Sequence, residues 1–185
     1  MLHHLIYKYS PYKFCLVILL SALFCNNSFS QNKAAKEKLA TPVPVDIQIT
    51  THLGDQQTFI KDDIISFFIS VNHDAYLYAF YQDASDNVFQ LIPGNALKSH
   101  YFSAGYFIPF PPASSNLLFQ VQAPYGQEHL WVFATNNGEL KFKGNEMSNG
   151  LLLLESSVNK ISHTLKNNSD KLYGFSKLII NTRDK

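Results

Sequence analysis

The sequence predicts a mainly β fold: an immunoglobulin-like β-sandwich of about seven strands with one short helix in the C-terminal half. Three observations support this fold class. Apolar and polar residues alternate in short segments, which is the two-residue period of a half-buried strand. Turn-forming residues separate these segments about every 8 to 12 residues, as they do in sandwiches. A single segment, near the C-terminus, changes to the helical period.

The first half of the predicted domain contains four strands. Residues 45–50 alternate strictly, and residues 64–71 place a continuous apolar set on one face. Residues 75–81 are apolar or aromatic on both faces, so this strand is expected in the middle of the fold. A polar hairpin loop at residues 83–87 leads into a fourth strand at residues 88–92.

The second half is less regular. Residues 96–112 contain one glycine and three prolines that interrupt pairing, so we expect irregular structure there. Two strands are predicted at residues 116–122 and 129–135, and a final strand at residues 176–181. Between the strands at 129–135 and 176–181, four apolar residues at helical spacing indicate an amphipathic helix: Leu154, Val158, Ile161 and Leu165.

Residues 1–30 have the anatomy of a cleavable secretory signal peptide. A weakly basic start is followed by an apolar run over residues 14–25, shorter than the roughly 20 residues that span a bilayer. Small Ser28 and Ser30 predict cleavage between Ser30 and Gln31. An uncleaved anchor, or a lipoprotein modified at Cys25, are the alternatives. We therefore expect an exported protein, periplasmic or secreted, with no membrane span in its mature form.

The composition after residue 30 limits the function classes. Residues 31–44 are predicted to form a flexible linker, and residues 45–182 a single sandwich domain. Both cysteines, Cys15 and Cys25, fall in the signal peptide, so the mature chain has no disulfide and no cysteine ligand. Loss of two lysines reduces the 15 basic residues to 13, against 14 acidic ones. This balance, with Arg183 as the only arginine, argues against a nucleic-acid partner.

No arrangement of residues indicates a reaction. The mature histidines lack the His-x-x-x-His spacing of a helical metal site, and no nucleophile elbow or phosphate-binding glycine run occurs. The adjacent pairs His73-Asp74 and Glu128-His129 suggest acid-base chemistry, but neighbours on a strand point to opposite faces. We therefore predict no catalytic residue, no metal site and no cofactor.

Aromatic residues are the one compositional excess. Six of them lie near prolines and glycines in segments predicted as loops, where they are candidates for a partner-binding surface. The alternative is that they cover an open end of the sandwich as core. These residues are Tyr101, Phe102, Tyr106, Phe107, Phe110 and Tyr125.

Several short motifs carry a resemblance to a known family. They are DAYLYAF at 74–80, VFQLIP at 88–93, AG at 104–105 with IP at 108–109, and GQE at 126–128 before LWV at 130–132. With these motifs the chain resembles the bacterial domain-of-unknown-function family numbered 4384, over about residues 45–135. Two positions depart from the family pattern. Asp62 stands where members usually have glycine, and LIPG at 91–94 replaces a more usual Phe-Pro-Asn.

The resemblance implies an accessory module without assigned chemistry. We therefore expect an exported, non-enzymatic interaction module that docks onto a protein partner in the cell envelope. A domain that binds a small ligand or carbohydrate is the first alternative, and it predicts a concave pocket with convergent polar groups. A hydrolase is the second alternative, and it predicts a histidine or carboxylate in a cleft beside a nucleophile or metal.

Overall fold

The computed structural model describes residues 41–97 and 99–185. These residues form short strands and one helix, α1 (Val158–Asn167). The strands are β1 (Val43–Pro44), β2 (Ile47–Thr51), β3 (Thr58–Ile60), β4 (Ile64–Ile65), β5 (Phe67–Val71), β6 (Ala75–Gln82), β7 (Val88–Ile92), β8 (Tyr101–Phe102), β9 (Ile108–Phe110), β10 (Phe119–Gln120), β11 (Gln127–Thr135), β12 (Gly144–Glu146), β13 (Leu152–Leu154) and β14 (Leu172–Arg183).

A nine-stranded sheet is the centre of the fold. Its main order is β1-β14-β11-β6-β7-β13-β12, with β3 also pairing with β14 and β8 with β6. The three longest strands, β14, β11 and β6, are antiparallel neighbours. Val132 of β11 lies opposite Ala79 of β6 and Ser176 of β14. The alternation of side chains along these strands therefore determines what each face of the sheet contacts.

The central strand β6 is buried on both faces. Leu77 and Ala79 belong to one buried cluster, and Tyr78 and Phe80 belong to a second. The first cluster lies between the large sheet and a smaller sheet, and the second lies between the large sheet and α1. Two covered faces explain why the β6 sequence is almost continuously apolar, as predicted.

The smaller sheet has the order β2-β5-β9, with all pairs antiparallel. Its inward side chains Phe67, Ile69 and Val71 pack into the first cluster. A two-stranded sheet of β4 and β10 extends one end of this layer, with Ile65 opposite Phe119. The result is a two-sheet core with a helix on the outer face of the large sheet.

Helix α1 begins at Val158, after Ser157 in extended conformation. Val158, Ile161 and Leu165 are buried against the large sheet, as their spacing predicted. Leu154, assigned to the same helical stripe from the sequence, lies instead in strand β13. Four consecutive leucines precede the helix, and their spacing fits a strand as well as a helix turn.

The prediction of a mainly β sandwich with one helix is confirmed. The described residues form more than seven strands for three reasons. The predicted strand 64–71 is divided into β4 and β5, and the irregular region 96–112 contains β8 and β9. The short strands β1, β3, β12 and β13 lie where no strand was predicted. The strand predicted at residues 116–122 is limited to β10. No strand was predicted between residues 136 and 152, where β12 and the start of β13 lie.

The predicted signal peptide, with its cleavage between Ser30 and Gln31, lies outside the described residues, as does most of the predicted linker. Val43 and Pro44, at the end of that linker, form β1 and pair in parallel with Leu172 and Tyr173 of β14. No helix in the described part of the chain has the length and hydrophobicity needed to cross a bilayer.

Candidate functional site

Residues 101–107, called the aromatic loop here, comprise β8 and the turn that leads from it to the edge strand β9 of the smaller sheet. Two hydrogen bonds fix this segment at the start of β6. The amide of Ala104 donates to the Asp74 carboxylate at 2.8 Å, and the amide of Gly105 donates to the Val71 carbonyl at 3.0 Å. Gly105 has φ +82°, a conformation that other residues rarely adopt, so its glycine allows the turn. The loop thus has a defined backbone.

Three side chains of the aromatic loop are exposed to solvent. Tyr106 is 70% exposed, Phe107 61% and Tyr101 51%. Tyr101 also packs against Tyr76 of β6, with ring centroids 4.9 Å apart. A short, hydrogen-bonded segment therefore presents three aromatic rings outward.

The other three predicted partner-binding aromatics are placed differently. Phe110 is completely buried opposite Phe67, so it belongs to the core and cannot form part of a docking surface. Phe102 is half-buried and pairs with Ala75. Tyr125 packs against the core near the start of β11, at the opposite end of β6 from Tyr101. Tyr101, Tyr106 and Phe107 are therefore the three exposed members of the predicted set, all on the segment 101–107, and Tyr125 lies apart from that segment.

At the opposite end of β5 and β6 lies a cleft of about 490 Å³, called the acidic cleft here. It lies between the β4–β10 pair, the ends of β6 and β7, and the turn before β13. Its walls combine apolar and polar side chains, and Phe119 of β10 packs edge-on against Tyr81 with ring centroids 4.6 Å apart. The apolar wall residues include Ile65, Phe89, Leu91, Phe119, Val121 and Leu151.

Glu128 contributes a buried carboxyl group to the acidic cleft. Its exposed fraction is 4%. The Tyr81 hydroxyl of β6 donates to Glu128 Oε2, and the Thr182 hydroxyl of β14 donates to Oε1 at 3.2 Å. Glu128, Leu130 and Val132 alternate along β11, and their side chains all point into the core. This network therefore connects the three longest strands at one end of the core.

Burial changes the acidity of this pair. Removal from water raises the pKa of Glu128, and the hydrogen bonds from Tyr81 and Thr182 partly oppose that rise. Burial also raises the pKa of Tyr81, and its bond to Glu128 adds to the effect. The phenol therefore remains protonated and acts as a donor to the carboxyl group.

The histidines do not assemble into a site within the described residues. Nε2 of His100 lies 3.1 Å from the Gly138 carbonyl oxygen, and its ring packs on Tyr76. His129 lies on the helix side of the large sheet, facing away from Glu128, as strand alternation requires. Across residues 41–97 and 99–185, no three histidine, cysteine or acidic side chains gather closely enough to hold a metal ion.

A second depression, of about 440 Å³, is lined by polar residues beside Tyr76. Its amides are used within the protein. The Asn136 side chain donates to Asp170 at 2.6 Å and accepts from the Lys171 amide at 3.2 Å. The Asn137 side-chain oxygen accepts from the Glu139 amide at 3.0 Å. These hydrogen bonds hold the loop in shape, so these groups are already engaged within the protein.

Sequence reasoning missed the acidic cleft. One signal was present, since Glu128 occupies an inward position in a strand whose other inward residues are apolar. A carboxyl group at such a position requires partners. Those partners, Tyr81 and Thr182, are 47 and 54 residues away in the chain, so only the strand order could identify them.

The described residues define a mainly β protein of the sandwich class, with an exposed aromatic loop at one end and an acidic cleft at the other. Residues 58–137 match the model of the family described as Domain of unknown function (DUF4384), so the resemblance inferred from the motifs is confirmed over this range. The range contains the aromatic loop, Tyr81 and Glu128. No protein of curated function and no solved structure matches the chain.

Proposed function

We propose that this chain is an exported, non-enzymatic accessory module that docks onto a protein of the cell envelope through its aromatic loop. The observation that carries the proposal is the exposure of Tyr101, Tyr106 and Phe107 on one short segment. Large aromatic side chains dominate many protein interfaces because each buries a large apolar area at a small entropy cost. Exposed apolar side chains that adjoin one another are typical of interaction surfaces.

The backbone of the aromatic loop supports the same proposal. Hydrogen bonds to Asp74 and Val71 hold Ala104 and Gly105 in place before any partner arrives. Binding therefore does not have to order this part of the chain, and that lowers the entropy cost of association.

Export is the part of the proposal that rests on the sequence alone. The apolar run and small residues before Gln31 support secretion across a membrane. The absence of cysteine after residue 30 is compatible with an oxidising or a reducing compartment. A periplasmic or secreted location follows from the signal peptide, and the partner is then a protein of the envelope.

The test compares a loop variant with a matched control. The double variant Tyr106→Ser/Phe107→Ser removes the two most exposed rings of the loop. The control Leu53→Ser changes a side chain that is 56% exposed in the turn after β2, at the other end of β5. Each tagged mature chain is used to capture proteins from envelope extract, and captured proteins are quantified by mass spectrometry.

We expect one envelope protein to be enriched by the unchanged chain and by Leu53→Ser, and to be lost with the double variant. Both variants should keep the melting temperature within a few degrees, because exposed side chains contribute little to stability. Equal capture by the double variant would contradict docking through the aromatic loop. Enrichment of no protein by the unchanged chain would contradict the docking function itself.

A second candidate function, binding of a small ligand, is favoured by the acidic cleft. Its volume of about 490 Å³ lies within the usual range for small-molecule sites. The cleft combines apolar side chains with polar groups, as small-molecule sites do. A ligand that occupies the cleft should raise the melting temperature of the purified chain. The hydrolase alternative stays a prediction.

A further inference from the structure

Glu128 gives the acidic cleft a buried hydrogen-bond acceptor, and the side-chain amides of Gln120, Gln122 and Asn149 also line it. The Tyr81 hydroxyl donates to Glu128, and the Thr182 hydroxyl lies 3.2 Å from Glu128 Oε1 and 3.3 Å from the Gly126 carbonyl oxygen. A carboxylate has about four acceptor positions, so two bonds leave Glu128 able to accept more. Asp83 also lines the cleft, but its two oxygens accept from the Ser85 and Asn87 amides and from the Asn87 side chain, so the free acceptor positions belong to Glu128. A ligand group that donates hydrogen bonds therefore fits this end of the cleft.

The charged groups of the cleft favour a positively charged ligand. Its ionisable lining groups are Tyr81, Asp83 and Glu128, and no lysine, arginine or histidine is among the lining residues. Carboxyl groups beside apolar walls disfavour an anion, because neither water nor a cation compensates its charge. A bound cation would instead compensate the buried carboxylate.

The walls of the cleft define the rest of the ligand. Phe89, Phe119 and Tyr81 contribute aromatic surface, and Leu91, Leu117 and Leu151 contribute aliphatic surface. Aromatic faces attract organic cations, and the aliphatic side chains suit an apolar body.

We propose that the acidic cleft binds a small organic ammonium compound, with its cationic nitrogen at Glu128 and its apolar or aromatic body between β10 and β7. This inference rests on the second candidate function, since it names the ligand class of that same cleft. The competing explanation is that Glu128, Tyr81 and Thr182 only connect β6, β11 and β14. In that case the cleft has no preference for a cation.

Three probes of similar shape separate these explanations. They are 2-phenylethylammonium, neutral 2-phenylethanol and anionic 3-phenylpropionate. Each is titrated into the purified chain, with binding followed by the NMR shifts of backbone amides and leucine methyl groups. We expect the ammonium to bind about tenfold more tightly than the alcohol, as a charge-assisted hydrogen bond to a buried carboxylate allows. The shifts should be largest at Leu117, Leu151 and Glu128, and the carboxylate probe should not bind.

The variant Glu128→Gln keeps the size and an acceptor oxygen but removes the charge. We expect it to lose the tenfold preference for the ammonium while it still binds the alcohol. The matched control Glu139→Gln changes an exposed carboxylate outside the cleft and should keep the preference. If Glu128→Gln does not fold, Tyr81→Phe is used, and it should retain the preference because the carboxylate remains.

The outcomes distinguish two failures. Equal binding of the alcohol and the ammonium, or an unchanged preference in Glu128→Gln, would overturn the assignment to ammonium compounds and leave small-ligand binding in place. Lack of shifts at the cleft with all three probes at millimolar concentration would overturn both the ligand class and the second candidate function.

Discussion

At one end of β5 and β6 the aromatic loop leaves Tyr106 and Phe107 in solvent, whereas at the other end Phe67, Tyr81 and Phe119 pack edge to face. The residue types are similar, but their coverage differs. The short strand β10 covers the aromatic rings at the cleft end, and no described segment covers the two rings of the loop. Aromatic content alone therefore does not select candidates for a docking surface, because the same residue types also form the core.

The largest expected effect comes from two phenylalanines three residues apart. Phe110→Ala should lower the free energy of unfolding by about 3 to 5 kcal/mol, because it leaves a cavity in a fully packed core. Phe107→Ala should change it by less than about 0.5 kcal/mol, because the ring is exposed. Urea unfolding of both variants measures the difference. Similar losses would show that the loop is packed and would remove the contrast between the two ends.

At the cleft end, Tyr81→Phe should cost about 1 to 3 kcal/mol near pH 8, because it leaves the buried Glu128 carboxylate without its phenol donor. The cost should be smaller near pH 5, where the carboxyl group is closer to neutral. Tyr106→Phe, which removes an exposed hydroxyl, is the control and should have no measurable effect. Urea unfolding at the two pH values gives both numbers. A cost that does not depend on pH would argue against a titrating Glu128.

The raised pKa of Glu128 predicts a direction of pH dependence. The folded state binds the proton more tightly than the unfolded state, so protonation favours folding. The stabilisation by protonated Glu128 is complete below the pKa of Glu128 in the unfolded chain. It is lost as pH rises through the pKa of Glu128 in the folded chain. Glu128→Gln should therefore remove a decrease in stability that begins as pH rises above about 4.5, the ordinary pKa of a glutamate.

His129 acts in the opposite direction, since burial and then the nearby Lys177 lower its pKa. The difference between the unchanged chain and Glu128→Gln, followed by melting temperature against pH, isolates the Glu128 contribution. A difference that stays constant or rises with pH would contradict a raised pKa.

The smallest expected effect concerns the turns near the two ends. Gly105 in the aromatic loop and Asp62 before β4 both have positive φ, +82° and +75°. Asp62→Gly should stabilise the chain by about 0.5 to 1 kcal/mol, because glycine adopts this conformation without steric cost. Gly105→Ala should destabilise it by a similar amount. Thermal unfolding compares both variants, and destabilisation by Asp62→Gly would show that its contact with Lys185 outweighs the backbone cost.

The parts of the fold that the sequence predicts well are those with a strong period. Strand β7 coincides with residues 88–92, and β6 ends one residue beyond the predicted limit. The helix stripe of Val158, Ile161 and Leu165 is correct for the same reason. In these segments, burial of one or both faces leaves a regular pattern in the residues themselves.

Other segments depend on pairing that the sequence does not display. Pro109 lies in β9, which a proline normally argues against, but β9 is an edge strand and tolerates it. Leu117 and Leu118 read as part of a strand, yet pairing with the two-residue strand β4 limits β10 to Phe119 and Gln120. The exposed and buried residues of the candidate site likewise depend on pairing between segments that are distant in the chain. Exposure of Phe107 and burial of Phe110 follow from which strand lies over each ring.

The central claim is that the partner contacts the aromatic loop and not the cleft end. In-cell photocrosslinking with p-benzoylphenylalanine in place of Phe107, or of Leu118 on the cleft rim, tests it directly, since both side chains are more than half exposed. We predict a crosslinked adduct with one envelope protein at position 107 and none at position 118. An adduct at 118 alone, or none at either position, would contradict the account.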